Sequence, residues 1–292
     1  MINEQEILKK VLKIEIHAKF FAQQLFTGKY ASSFKGKGIE FSEVRPYAPG
    51  DDVRSIDWNI TARMNYPYVK EFTEERQLSV IFMLDIGASM LFGTSDKLKR
   101  EFATEVASLL AWTSARNGDK AGLILFSGGI EKYIPPRKGR FHIMRIIREM
   151  LYAEPEDRGS DIQGALEFAS KVFRKRSIIF LFSDFFSFDS AAKLRILSLR
   201  HDIVGLRVTD RAEETLPECG MTGVKDSVSA QSCFADFSSP VSRRIFARRV
   251  AAEERMIGSL FSSAGCDLLK LKTDEDYIPP LLNLFRTRSR RR

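Results

Sequence analysis

Apolar residues fall at helical spacing from residue 4 to 26 (Ile7, Leu8, Val11, Leu12, Ile14, Ile16, Phe20, Phe21, Leu25), and the pattern predicts one long helix ending near Gly28. From Ser32 to Arg76 the texture changes. Gly36, Gly38, Pro46, Pro49, Gly50 and Pro67 punctuate short segments, the signature of turns joining small strands. From Gln77 onward apolar runs alternate with amphipathic stretches. Strands are expected over 79 to 85 (SVIFMLD), 121 to 127 (AGLILFS), 177 to 184 (SIIFLFSD), 201 to 208 (HDIVGLRV) and 267 to 272, with a short extended piece over 132 to 135. Helices are expected over about 96 to 117, 139 to 152 and 161 to 175, then before Arg200, over about 241 to 264, and in a short piece near the end. The segment between residue 208 and 241 reads as a less regular insertion.

Strands alternating with helices require crossover connections, so the fold class is α/β: a doubly wound, mostly parallel sheet covered on both faces. The chain divides into an N-terminal helix (1–30), a β-rich extension (31–77), the α/β domain (78–275) and a short helix with a basic tail (276–292). No internal repeat interrupts this order.

Two strands end alike. SVIFMLD and SIIFLFSD are apolar along their length and finish in Asp85 and Asp184. In a parallel sheet both carboxylates emerge at the carboxyl edge. If the first and fourth strands are adjacent, that edge is the topological switch point where ligands bind. Two carboxylates there repel unless a cation lies between them. Ser89, Ser160 and Ser183 add hydroxyls nearby, and carboxylates with hydroxyls form a hard oxygen site suited to Mg²⁺, Mn²⁺ or Ca²⁺ rather than zinc. Asp85 and Ser160 also read as caps of the helices that follow them.

Composition narrows the class. Apolar residues are 44% and charged residues 29%, a balance expected of a globular protein. No apolar run reaches the roughly 18 residues of a transmembrane helix, and MINEQEILKK contains no secretory h-region, so a cytoplasmic protein is expected. Cys219, Cys233 and Cys266 show no C-x-x-C spacing and read as reduced thiols. The net charge of +8 is concentrated. Arg286, Arg288, Arg290, Arg291 and Arg292 lie in the last seven residues, leaving +3 for the other 285. Such a tail reads first as a solvated, disordered end. Alternatively it contacts nucleic acid or another anionic surface without sequence specificity.

D-x-G-x-S-M (Asp85 to Met90), R-G-S-D-I-Q-G-A-L (Arg158 to Leu166) and F-S-D (Phe182 to Asp184) resemble the three pieces of the metal-ion-dependent adhesion site of von Willebrand factor type A domains. The segment GKGIEFSEVRPYAPGDDVRSIDWNITARMNYPYVKEFTEER (Gly36 to Arg76), with RHDIVGLRVTDRAEETLP (Arg200 to Pro217), closely resembles the bacterial family called domain of unknown function 58. The resemblance covers about residues 34 to 275. It implies a von Willebrand A-like fold, largely parallel with one antiparallel edge strand. It implies no catalytic activity, and a role as adaptor or co-chaperone of a MoxR-type AAA+ ATPase. Carried over by position, the metal ligands are Asp85, Ser89, Ser160 and Asp184, holding Mg²⁺ or Mn²⁺ and leaving one position open to a partner's carboxylate. Gly87 stands where the first hydroxyl of D-x-S-x-S belongs, so one ligand is missing, and Ser160 replaces a threonine.

Within the extension, Arg45, Arg54 and Arg63 interleave with Asp51, Asp52 and Asp57, and Trp58, Tyr66 and Tyr68 follow. An internal ion-pair lattice is the favoured reading, because P-G-D-D is first a turn signal. A partner-docking hairpin rich in arginine and aromatics is the other.

Enzyme motifs are missing. There is no G-x-x-x-x-G-K-[ST] loop, no dinucleotide fingerprint around Gly36 to Gly38 or Gly128, no G-x-S-x-G elbow and no zinc-ligand spacing, and His17, His142 and His201 are scattered. The enzyme alternative is a Mg²⁺-dependent phosphoester hydrolase using Asp85 and Asp184. Against it, Gly87 replaces the second aspartate of a D-x-D, and the pattern places no lysine or arginine beside the strand ends. The expectation is a non-enzymatic interaction module.

Overall fold

The computed structural model describes residues 40–64, 66–73, 79–186 and 188–290; the helix expected over 4 to 26 lies outside them. In the extension, β1 (Glu40–Pro46) pairs antiparallel with β2 (Tyr68–Thr73), and a 3₁₀ turn (Val53–Ser55) and α1 (Trp58–Met64) lie between them. Arg45 grips Asp51 through two bonds of 2.7 and 2.8 Å. Asp52 caps the 3₁₀ turn, and Asp57 accepts the N–H groups of Asn59 and Ile60. The carboxylates thus fix turns, while Val53, Trp58, Met64 and Tyr66 remain exposed.

The rest of the chain builds a six-stranded sheet. Its strands are β3 (Ser79–Asp85), β4 (Lys120–Phe126), β5 (Ile130–Arg137), β6 (Ile178–Ser183), β7 (Asp202–Thr209) and β10 (Asp267–Lys272). They lie in the order β10-β7-β6-β3-β4-β5, all parallel except β5. β5 runs antiparallel because three residues join it to β4, too few for a crossover. It is longer than the 132-to-135 piece read from sequence. Pro135 and Pro136 are tolerated there because an edge strand leaves one row of N–H positions unpaired.

Each central strand feeds two cores, as a period of two dictates. Val80, Phe82 and Leu84 meet α2 (Lys99–Arg116), α3 (Arg140–Tyr152) and α8 (Ile278–Arg290). Ile81 and Met83 face α4 (Ile162–Val172), α5 (Ala191–Ser198) and α7 (Pro240–Ser263). Burying a side chain such as Phe82 or Met83 is worth about 1.5–3 kcal/mol. Gly205 in β7 admits the Phe261 ring, which a Cβ there would strike.

Two regions differ from the sequence pattern. The insertion is ordered: α6 (Arg211–Glu214) precedes a hairpin of β8 (Met221–Lys225) and β9 (Ser232–Asp236). The arginine-rich end continues α8 as far as Arg290. Within it Arg288 is buried and ion-paired with Asp202 and, at 3.0 Å, with Asp267. A solvated, disordered tail is therefore not what this segment is; apolar Leu281, Leu282 and Phe285 anchor it and hold Arg288 against the sheet edge.

Candidate functional site

β3 lies between β4 and β6, so the crossovers leave in opposite directions and the carboxyl edge opens between β3 and β6. Asp85 ends β3 there, wholly buried. Its Oδ1 accepts the N–H of Gly87 at 2.9 Å, and its Oδ2 accepts the hydroxyls of Ser160 at 2.5 Å and Ser183 at 2.7 Å. Burial, then the charge of Asp184, pushes the Asp85 carboxyl up to about 6.

Asp184 follows β6 directly and is 7% exposed. Its Oδ1 accepts the N–H of Phe186 at 3.0 Å, its Oδ2 accepts Lys99 Nζ at 2.9 Å, and the Ser89 side chain hydrogen-bonds to it as well. Burial works against the charged form of Asp184, but Lys99, the Phe186 N–H and Ser89 together outweigh it and hold the carboxyl below its ordinary value. The four residues expected from sequence, Asp85, Ser89, Ser160 and Asp184, are thus brought to one place, with Ser183 between them. The helix-cap reading of Ser160 does not hold: Asp161 caps α4 by accepting the N–H of Gly164. Asp85 closes only the turn to Gly87, which is itself the cap residue of the 3₁₀ turn Ala88–Leu91.

Lys99 was not anticipated. It is the first residue of α2, wholly buried, and its ammonium also donates to Glu213 Oε1 at 2.5 Å. Burial alone would lower its pKa; Asp184 and Glu213 more than reverse this and leave it raised. Its ammonium lies 6.0 Å from the centre of the Phe92 ring. Arg207 adds a second cation, its Nε donating to the Asp184 carbonyl at 3.2 Å. The expectation that no lysine or arginine stands beside the strand ends is therefore corrected. One of these cations starts the next helix and the other sits in a neighbouring strand, places the local pattern around Asp85 and Asp184 does not reveal.

Gly87 has a packing reason. The Ala88 N–H donates to the Arg158 carbonyl at 3.0 Å, so residues 158–160 lie directly on the 87–88 turn. A Cβ at Gly87 would collide with the carbonyl oxygen of Gly159. With the 158–160 loop so placed, a side chain at position 87 has no room.

With Lys99 bound to Asp184, this donor set is already engaged by the chain's own groups. Both Asp184 oxygens are engaged, one by an ammonium. Both Asp85 oxygens accept protons from three donors. An ion added beside Lys99 would meet a like charge.

Apolar side chains are exposed on the turns that follow β3 and β6. Phe185 takes a left-handed backbone conformation (φ 56°), unusual for an aromatic residue. Its ring is locked in the core against Phe261, with centroids 5.0 Å apart. The turn so formed leaves Phe186 55% exposed, and on the turn after β3 Leu91 is 40% and Phe92 37% exposed. A shallow cleft lined by Leu91, Phe92, Arg158 and Lys225 adjoins them.

Residues 43–256 match the family model described as "Protein of unknown function DUF58". The chain belongs to the DUF58 family. Its fold is von Willebrand factor A-like, with the parallel sheet and single antiparallel edge strand described above. This DUF58 chain is 29% identical over 294 residues to Uncharacterized protein Rv1480 of Mycobacterium tuberculosis, covering 99% of this chain and 92% of that one. Among solved structures it is similar to conserved hypothetical protein BatB from Bacteroides thetaiotaomicron, with a TM-score of 0.52 at 15% identity over 73% of this chain and 99% of that one. An aerotolerance-related membrane protein from Bacteroides fragilis gives the same TM-score, 0.52, at 16% identity over 74% and 100% of the two chains. No described helix of this DUF58 chain is long and apolar enough to cross a membrane.

Proposed function

We propose that this DUF58 chain is a non-enzymatic protein-interaction module that binds its partner at the carboxyl edge of the sheet. The partner is a MoxR-type AAA+ ATPase or that ATPase's client, met in the cytoplasm. The observation that carries the reading is the exposed apolar group Leu91, Phe92 and Phe186, set on two turns that the buried Asp85–Asp184 network holds in place. Apolar and aromatic side chains on rigid turns lose little entropy on binding and supply most of the energy of typical interfaces. The ATPase is named from the family resemblance. The non-enzymatic role, like the ATPase, is taken from the family resemblance.

The test is direct binding of the MoxR-type ATPase from the same genome to the wild type and to Leu91→Ser with Phe186→Ser. Loss of tenfold or more in affinity, about 1.4 kcal/mol, is expected for substitution of interface anchors. Equal affinities would remove the edge as the binding face.

A further inference from the structure

A von Willebrand A-like edge is built around opposed carboxylates, and opposed carboxylates in a buried place need a cation. Here the chain brings its own. Lys99 is wholly buried, reaches Asp184 at 2.9 Å, and is tied through the same ammonium to Glu213 at 2.5 Å. We propose that the Lys99 ammonium replaces the divalent cation of this site, so that the carboxyl edge keeps its shape and binds its partner without Mg²⁺ or Mn²⁺.

Three independent features agree. The Ser160 and Ser183 hydroxyls both donate to Asp85 Oδ2, so the chain's own groups hold that carboxylate in place without an ion. The position of the missing hydroxyl cannot be refilled, because the Gly159 carbonyl occupies the space of a Cβ at Gly87. Admitting Mg²⁺, which takes about six oxygen ligands at ~2.0–2.1 Å, would require Lys99 to release Asp184. That release would break a contact linking the start of α2, the end of β6 and α6 at once. The substitution also has a mechanical consequence. A metal leaves with a chelator; a lysine tethered by α2 does not, so the coupling between these three elements is permanent.

Thermal unfolding of the purified full chain in EDTA, then with Mg²⁺ or Mn²⁺ into the millimolar range, tests this, with Lys99→Met and Asp184→Ala measured alongside. The wild type is expected to melt at one temperature throughout. Lys99→Met, with Asp184 left without its counter-ion, is expected to gain a metal-dependent rise or, if unfolded in EDTA, to refold with Mn²⁺. A wild-type rise that disappears in Asp184→Ala would overturn the proposal. So would a folded Lys99→Met that ignores both ions. To keep the test independent of whether Lys99→Met folds, Mn²⁺ is also titrated calorimetrically into the wild type. Absence of binding supports the proposal, and one saturable site lost in Asp184→Ala refutes it.

Discussion

Lys99 Nζ stands 2.9 Å from Asp184 Oδ2 although 85 positions separate the two residues, and both side chains are all but closed to solvent. The pair joins the start of α2 to the end of β6 at the switch point. Removing one partner of such a pair leaves the other charged and buried, which costs about 3–5 kcal/mol. Lys99→Met should therefore lower urea-unfolding stability by about that amount without metal. The doubly neutral Lys99→Met, Asp184→Asn should recover part of the loss. A Lys99→Met as stable as the wild type would mean that the pair carries no such burden.

Asp85 sets the acid dependence. Its carboxyl lies at about 6 in the folded chain against an ordinary value of 3.8. The folded state therefore holds the proton more tightly. The stability that Asp85 contributes is fully present below about pH 4 and lost as pH rises through about 6, a swing on the order of 2–3 kcal/mol. Asp85→Asn removes this dependence. The difference in unfolding free energy, mutant minus wild type, should move in the mutant's favour between pH 4 and 7 and be flat above. A difference constant from pH 4 to 8 would contradict the raised carboxyl.

Restoring the motif should not restore a metal site. Gly87→Ser places a Cβ against the Gly159 carbonyl, and forced overpacking costs about 1–3 kcal/mol. The substituted chain is expected to melt lower than the wild type and to remain indifferent to Mg²⁺. A serine accommodated without loss would indicate that the 158–160 loop yields easily.

Much of this architecture was legible from residue pattern. The strands ending in Asp85 and Asp184 announced themselves because a fully buried parallel strand is a continuous apolar run; their adjacency was a condition of the switch-point reading, and the strand order meets it. Ser89 and Ser160 were placed by the motif. Lys99 was not legible. Three of its four neighbours in K-L-K-R-E are charged, and helical spacing alone does not say which lysine of Lys97 and Lys99 turns inward. Its partners Asp184 and Glu213 are distant in sequence, so the pairing exists only once β6 and β7 are assembled. Phe186 was hidden for the opposite reason. In F-S-D-F-F the aromatics read alike, and only the left-handed turn at Phe185 buries one ring and exposes the next.

The C-terminal helix offers a contrast between two arginines two positions apart. Arg288 is buried between Asp202 and Asp267, whereas Arg290 is exposed. Arg288→Ala should cost between the ~1 kcal/mol of an exposed pair and the ~3–5 kcal/mol of a buried one. Arg290→Ala should stay within about 0.5 kcal/mol of the wild type. Equal small effects in denaturant melts would return the whole end of the chain to the solvated tail that its composition suggests.

The most direct measurement is NMR of the Lys99 ammonium itself, in protein labelled with ¹⁵N-lysine and titrated with Mn²⁺. An ammonium held by Asp184 and Glu213 away from water should give a resonance slow to exchange, absent from Lys99→Arg, and unbroadened as Mn²⁺ enters the millimolar range. Selective broadening of that resonance by substoichiometric Mn²⁺ would place a metal beside Asp184 and contradict the account.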